Sequence, residues 1–205
     1  MYLLNTRSID CMLNCMEEIF TMDYSKELYL LHIMQQAFSS FFSVSNKLQI
    51  AGDQYCEPLT SRQYMTMLAV LHLPKDETTL INIAKKLGTT KQNITQLIKS
   101  LQKKGFVFIM PSEKDKRAVN VCLTEEGIDS VVKCGKYAGI NFMADIFKDF
   151  TEEEIETLWK LLIKLYRFDG VEMDGFEENV QIPNIDIEEE VRIGLEKFSK
   201  RRNIK

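Results

Sequence analysis

The run of polar residues from Thr90 to Lys103 carries the side chains best suited to contact a nucleic acid. Hydroxyl, amide and ammonium groups predominate in this run, and it contains no Asp or Glu. Amides can pair bidentately with adenine, whereas Lys can donate to guanine or to a phosphate. We predict phosphate contacts from Lys99, Lys103 and Lys104. We predict base-edge contacts from Thr90, Lys91, Gln92, Asn93, Thr95 and Gln96.

Two short helices are expected to position this set. Apolar residues recur at i, i+3, i+4 and i+7 in the second helix, so they face a core: Ile94, Leu97, Ile98 and Leu101. The polar set is thereby turned outward. We expect this helix to begin at a capping box from Thr89 to Gln92 and to end at Gly105. A shorter helix from Leu80 to Leu87, closed by Gly88, completes a helix-turn-helix pattern.

A β-hairpin is predicted directly after the second helix. Its first strand covers Phe106 to Met110, and its second carries Val119, Val121 and Leu123 on one face. Asn120 and Cys122 fall on the other face, which is the period of a half-buried strand. Helix-turn-helix and hairpin together outline a winged helix, a unit that usually grips duplex DNA.

The tip of this hairpin is basic, with Lys114, Lys116 and Arg117. Beside a helix-turn-helix, we expect these side chains to follow the wing toward the minor groove, whose negative potential favours Arg. An isolated tip of this kind would be explained equally well as a solvated turn. Asp115 is a poor partner for DNA, and we predict that it holds Arg117 in position.

The rest of the chain is predicted to be mostly helical. Before the winged helix, helical periodicity covers residues 1–22, Lys26 to Leu48 and Thr60 to Leu73, with a connector from Gly52 to Leu59. After the hairpin, one long helix is expected from Thr124 to Asp149 and another from Thr151 to Tyr166. The second of these has an apolar stripe: Leu158, Leu161, Leu162 and Leu165. An acidic linker and a final helix, Ile187 to Phe198, end the pattern.

Charge is unevenly distributed along the chain. The net charge of the chain is −4. The segment from Lys85 to Arg117 nevertheless contains nine Lys or Arg and two Asp or Glu, which gives it a local charge of +7. From Asp145 to Glu190 the balance is −11. Because counterion release depends on the face that meets the phosphates, the acidic total does not exclude a DNA partner. The basic cluster Lys200 to Arg202 could pack across a partner subunit or trail over phosphates, and the sequence leaves both open.

Composition indicates a soluble chain of the cytoplasm. No apolar run approaches the ~20 residues of a membrane span, and acids interrupt the N-terminal apolar stretch, unlike a signal peptide. Five cysteines at irregular spacing do not form a secreted disulfide framework. Two histidines and no Cys-x-x-Cys argue against a zinc site. We expect no cofactor and no enzyme activity, because no phosphate loop and no nucleophile–base pair is present.

The winged-helix motifs resemble the MarR family of bacterial transcriptional regulators. The family pattern Asp-x-Arg, a strand, then Leu-Thr-x-x-Gly is matched by Asp115, Arg117, Leu123, Thr124 and Gly127. Upstream, the segments from Ile83 to Gly88 and from Gly105 to Val107 match as well. The chain departs from many relatives by having Lys99 in place of an acid, and Phe108 and Ile109 in place of charged residues.

The resemblance implies a mainly α fold, with a winged helix-turn-helix core and a small β-hairpin wing flanked by N- and C-terminal dimerisation helices. The domains would be 1–59 (N-terminal helices contributing to dimerisation), 60–123 (winged helix), 124–168 (C-terminal dimerisation helices) and 169–205 (linker and extension). It implies a homodimer that regulates transcription from a pseudo-palindromic operator and responds to an effector. An effector of aromatic type could meet His32, Phe38, Phe41, Tyr64 and Met67, although such stripes are more often ordinary core.

Two other functions are consistent with the sequence. A winged helix can serve as a protein-interaction module, and Lys99 together with the acidic segment leaves room for that reading. A thiol-based sensor would use Cys11 and Cys15, one helical turn apart, but no adjacent base lowers their pKa. A sequence-specific DNA-binding regulator is the interpretation that the motifs favour.

Overall fold

The computed structural model of the chain describes residues 24–114, 117–173 and 187–202. The predicted helix over residues 1–22, most of the acidic linker, Cys11, Cys15, Asp115 and Lys116 lie outside the described residues. The chain divides into two units, Met1–Lys47 and Leu48–Lys205. No helix within the described ranges combines the length and the apolar character that a membrane span requires.

The order of elements confirms the mainly α prediction with one hairpin. The helices are α1 (Ser25–Tyr55), α2 (Ser61–His72), α3 (Leu80–Lys86), α4 (Lys91–Lys103), α5 (Glu125–Cys134), α6 (Ile140–Ile146), α7 (Glu152–Tyr166) and α8 (Ile187–Arg202). The antiparallel strands β1 (Val107–Pro111) and β2 (Val119–Leu123) pair in the register Val107 with Leu123. A π-helical turn, Gly135–Gly139, and a 3-10 turn, Arg167–Asp169, complete the set.

Helix α1 extends beyond its predicted end at Leu48, and the predicted connector is correspondingly shorter. The sequence marked Gly52 as a break, but this glycine is buried within the helix. A Cβ at this position would lie 2.5 Å from the Ser61 hydroxyl oxygen. Gly52 therefore permits a close approach between α1 and the start of α2, which is a long-range packing role.

A hydrophobic core lies under the winged helix. Helix α2 packs against α3, α4, α5 and β2. The largest fully buried apolar side chains come from α2, α3, α4 and β2: Met67, Ile83, Ile94, Leu101 and Val121. Thr60 begins α2 with a capping box, in which its hydroxyl accepts from the Gln63 N–H at 3.2 Å. The core thus fixes the two helices of the helix-turn-helix on the same support.

The turn between α3 and α4 places the cap of α4 one residue later than predicted. Gly88 has φ +60°, its N–H donates to the Lys85 carbonyl, and the Thr89 N–H donates to the Ala84 carbonyl. These two bonds form a Schellman motif, so Thr89 still belongs to the end of α3. Thr90, instead of Thr89, caps α4 by accepting from the Asn93 N–H at 3.2 Å.

The long helix predicted from Thr124 to Asp149 is interrupted and ends earlier. Thr124 caps α5 as expected, but the π-helical turn Gly135–Gly139 separates α5 from α6, which ends at Ile146. A Cβ on Gly135 would lie 3.1 Å from the Tyr64 hydroxyl. Two glycines within five residues weaken the α-helix at the place where Tyr64 of α2 approaches it.

Helix α8 packs on α6 and the π-helical turn in the same chain. A Cβ on Gly194 would lie 2.5 Å from a methyl carbon of Ile140, so the two helices approach closely. Arg201 pairs with Asp145 at 3.0 Å, and Arg202 donates to the Phe150 carbonyl at 2.9 Å. The basic cluster therefore holds its own chain, an arrangement that neither sequence-based alternative included.

Candidate nucleic-acid interface

Helix α4 presents the predicted polar face to solvent. Its apolar side, Ile94, Ile98 and Leu101, is buried in the core. The predicted contact residues lie opposite this side, with Thr95 half-buried and the others exposed: Thr90, Lys91, Gln92, Asn93, Gln96, Lys99 and Lys103. The 3.6-residue period therefore placed this surface correctly, although contact with DNA itself stays a prediction.

The polar groups of this face differ in how far they are already engaged. The Asn93 amide donates to the Thr89 hydroxyl at 3.1 Å, and the Thr95 hydroxyl donates to the Lys91 carbonyl at 2.8 Å. Within the described ranges, the side-chain amides of Gln92 and Gln96 make no hydrogen bond. These two amides keep their full capacity to pair with a base edge.

Lys104 has a structural contact that the sequence did not reveal. Its ammonium donates to the Pro58 carbonyl at 2.7 Å and to the Gln63 side-chain oxygen at 2.8 Å. Gln63 also completes the capping box of α2, and its amide nitrogen donates to Ser100 in α4. This side chain joins the end of α4 to the start of α2, and the predicted phosphate contact of Lys104 stays a prediction.

The wing places Lys114 against two carboxylates of the segment that precedes α3. The Lys114 ammonium forms ion pairs with Asp76 and, at 3.1 Å, with Glu77. The hydrogen bonds to Asp76 and Glu77 raise the pKa of Lys114, and the same contact to Lys114 lowers the pKa of Asp76. Lys114 is thus a base that DNA would have to share with this acidic pair.

Helix α4, which is the second helix of the helix-turn-helix and is called the recognition helix below, meets the wing at a cleft. The cleft has a volume of about 650 Å³ and lies between α4, the wing and the segment that precedes α3. Lys91 of α4 lines it together with Lys114 and Arg117 of the wing, and Asp76 and Glu77 lie on the same wall. Lys91, Lys114 and Arg117, which are far apart in sequence, therefore share one surface.

Strand β2 is covered on its outer edge. The alternation of β2 predicted that Asn120 lies on its exposed face, and the structure shows this residue buried. The Val121 N–H donates to the Thr78 carbonyl at 3.0 Å, and Thr79 forms a β-bridge with Asn120. Asn120 is only 6% exposed, and its side-chain oxygen has no partner among the described residues. Residues 78 and 79 act as a short third strand, so the alternation of β2 does not separate core from solvent.

The Leu-Thr-x-x-Gly pattern fastens the wing to the exit of α4. The Thr124 hydroxyl accepts from the Gly127 N–H at 3.0 Å and donates to the Gly105 carbonyl at 2.7 Å. The Thr124 N–H donates to the Phe106 carbonyl at 3.0 Å. A Cβ on Gly127 would lie only 2.1 Å from that same carbonyl oxygen. Thr124 is therefore required for its hydrogen bonds to the backbone, and Gly127 is required because a side chain would clash with the same backbone.

The residues predicted to meet an effector lie on different units. In the first unit, His32, Phe38 and Phe41 are exposed, and Phe38 makes an edge-to-face contact with Phe42 at 5.1 Å between ring centroids. In the second unit, Met67 is fully buried in the core, and burial raises the pKa of Tyr64 to about 12. Their role in effector binding stays a prediction. No cluster of three metal-ligating side chains occurs in the described part of the chain.

Two helices joined by a tight turn, with an exposed polar second helix and a two-stranded wing, define a winged helix-turn-helix protein. Residues 58–118 match the model of the MarR family. This match confirms the resemblance of the motifs to that family. The chain is 30% identical over 87 residues to the multiple antibiotic resistance proteins MarR of Salmonella typhimurium strain LT2 and Salmonella typhi. That match covers 42% of this chain and spans about 60% of the length of those relatives.

Solved structures share the fold over most of their own length. A mutant MarR from E. coli complexed with operator DNA has a TM-score of 0.58 at 24% identity, covering 66% of this chain and 97% of that one. The S. aureus MepR–DNA complex has a TM-score of 0.55 at 25% identity, covering 62% and 94%. An organohalide-sensing transcriptional regulator in its 2,4-dichlorophenol-bound form has a TM-score of 0.59 at 18% identity, covering 73% and 83%.

Proposed function

We propose that this chain is a sequence-specific DNA-binding transcriptional regulator that acts as a homodimer on a pseudo-palindromic operator and responds to a small ligand. The observation that carries the proposal is the acid-free outer face of α4, with the open amides of Gln92 and Gln96, beside the cleft that holds Lys91 and Arg117. Two structural neighbours are DNA complexes, and a third holds 2,4-dichlorophenol. Such a regulator would act in the cytoplasm, and catalysis has no part in it.

Recognition would divide between the helix and the wing. Gln92 and Gln96 would read adenines, Lys99 and Lys103 would fix the register on phosphates, and Arg117 would enter the minor groove. A two-fold dimer places its recognition helices about 34 Å apart, one turn of DNA, so each subunit would read one half-site.

Apolar surface on each unit supports the homodimer. In the first unit, α1 exposes large apolar side chains over many turns: Leu28, Leu31, Met34, Phe38 and Phe42. In the second unit, α7 has no buried residue, and Trp159, Leu161, Leu162 and Leu165 are exposed. Contiguous apolar patches of this kind mark interaction sites. We propose residues 1–59 and 124–168 as the dimerisation segments, 60–123 as the DNA-binding domain, and 169–205 as a linker and C-terminal extension.

The proposal is tested by selecting the purified protein against random duplex DNA and measuring the affinity for the enriched sequence by fluorescence anisotropy. We expect a palindrome with half-sites about ten base pairs apart. If nothing is enriched and only salt-labile binding is seen, the proposal is wrong, and the winged helix is then better explained as a protein-interaction module.

Replacing Gln92 and Gln96 by Ala is expected to weaken binding to the selected operator by at least tenfold, because each bidentate pair contributes about 1–3 kcal/mol of discrimination. Binding to random DNA should change little, since phosphate contacts are kept. Gln102→Ala, at an exposed position nearer the end of the same helix, is the matched control. Equal losses on operator and on random DNA would contradict base readout by these two residues.

Asp76→Asn is expected to strengthen DNA binding severalfold and to raise the salt slope by up to about one, because Lys114 then pairs with Glu77 alone and is more available to a phosphate. Anisotropy titrations over a range of salt concentrations measure both quantities. Glu113→Gln, which removes one negative charge from the wing hairpin, is the control. If the two variants behave alike, net charge and not the release of Lys114 explains the change.

A further inference from the structure

Cys56 and Cys134 meet inside the second unit. The Cys134 thiol donates to the Cys56 sulfur, and the two Sγ atoms are 2.7 Å apart. Both residues are buried, with 7% and 5% of their surface exposed. Spacing in the sequence gave no sign of this pair, because 78 positions separate the two residues. The packing of the core brings them together.

Both cysteines are held at the ends of helices. Cys56 follows the last residue of α1, and its N–H donates to the Gly52 carbonyl at 3.1 Å. Its carbonyl accepts from the Leu59 N–H at 2.8 Å. Cys134 is the last residue of α5, directly before the π-helical turn. The two sulfurs therefore approach each other because the backbones that carry them are fixed.

We propose that Cys56 and Cys134 form a reversible disulfide when the protein meets hydrogen peroxide. The Cys56 thiolate attacks one peroxide oxygen, the O–O bond breaks, and the departing hydroxide takes a proton to leave as water. Cys56 is then a sulfenic acid. The Cys134 sulfur attacks the Cys56 sulfur, the S–O bond breaks, and the hydroxide leaves as a second water with the proton from Cys134. Two thiols lose two electrons, and one peroxide gains them.

The chemistry assigns different roles to the two sulfurs. Burial raises the pKa of both thiols, and the hydrogen bond from Cys134 partly offsets this rise at Cys56. Cys56 is therefore the sulfur that ionises and reacts first, while Cys134 resolves the sulfenic acid. Because the thiolate fraction is small at neutral pH, oxidation is slow there and accelerates as the pH rises. This inference does not depend on the proposed function.

The disulfide would act as a staple for the winged helix. A disulfide bond is about 2.05 Å long, so the sulfurs need to move by less than about 1 Å, and the fold is retained. The loop that it closes contains α2, α3, α4 and both strands. Closing so long a loop restricts the unfolded chain and stabilises the folded one. We expect the oxidised protein to be more stable, with the recognition helix unmoved.

The test uses the full chain with Cys11, Cys15 and Cys122 replaced by Ser, so that no other disulfide can form. After hydrogen peroxide treatment and alkylation of residual thiols, a non-reducing peptide map should show the Cys56 and Cys134 peptides linked. Tm should rise by roughly 5–10 °C and return to its starting value with dithiothreitol. The matched control adds Cys134→Ser, for which peroxide should not raise Tm.

Two results would overturn the proposal. One is full alkylation of both thiols after unfolding the peroxide-treated protein, and the other is a Cys56 sulfinic acid without a link. If the three-serine background does not fold, the same peptide map is made on the unmodified chain, where the linked pair must again be the one joining Cys56 to Cys134. DNA affinity, measured on the same samples, should change by less than twofold on oxidation, because the fold is retained.

Discussion

Gly127→Ala is expected to lower the free energy of unfolding by about 3 kcal/mol, because a Cβ would lie 2.1 Å from the Phe106 carbonyl oxygen. Neither the Phe106 carbonyl nor the Met67 side chain can move away easily. The carbonyl already accepts the Thr124 N–H, and Met67 of the core closes the other side at 3.3 Å. A shift of α5 would pull the wing away from the exit of α4. Thermal unfolding should show a Tm lower by roughly 6–12 °C.

Gly139→Ala provides the matched control in the same helical run. Gly139 has φ −55° and ψ −53°, and a Cβ there would meet no atom within 4 Å. Alanine at this position should leave the stability unchanged or raise it by up to about 1 kcal/mol. If both substitutions lower Tm equally, helix propensity and not the contact with Phe106 would determine the effect at Gly127.

Leu161→Asp is expected to weaken the proposed homodimer by roughly a hundredfold or more, because an unpaired carboxylate would be buried in the interface that we propose for α7. Leu161 is 57% exposed in the chain and belongs to the apolar stripe of α7, which has no buried residue of its own. Sedimentation velocity at micromolar concentration should show a dimer for the unmodified chain and a monomer for the variant. Operator binding should be lost together with the dimer.

Lys160→Asp introduces a carboxylate on α7 at an exposed residue on the side opposite the stripe. It should leave the dimer intact. Circular dichroism of both variants distinguishes dissociation from unfolding. A Leu161→Asp protein that remains dimeric at all concentrations would exclude α7 from the interface and would place dimerisation on other segments.

Local patterns were sufficient to predict the recognition helix. The spacing of Ile94, Ile98 and Leu101 determined which face of α4 is buried. Thr60, Thr124 and Thr151 cap the helices that the sequence assigned to them. These features depend on residues within a few positions of each other, where hydrogen-bonding capacity and helical period are fixed by residue type.

The features that the sequence did not reveal depend on contacts between distant segments. Thr78 and Thr79 cover β2 and bury Asn120. Asp76 and Glu77 engage Lys114 in the wing, and Pro58 and Gln63 engage Lys104. Cys56 meets Cys134 across the core. No local period encodes such pairs, because each requires the tertiary fold to bring the partners together.

The Thr124 junction has a consequence for how a signal could travel. Thr124 is bonded to the backbone at Gly105 and Phe106, so the first turn of α5 and the exit of the recognition helix are mechanically one piece. In a dimer, the direction of α5 in each subunit would then set the distance between the two recognition helices. An effector that tilts α5 would change the distance between the two recognition helices, so that it no longer matches one turn of DNA. The effector would not need to contact any residue that reads a base.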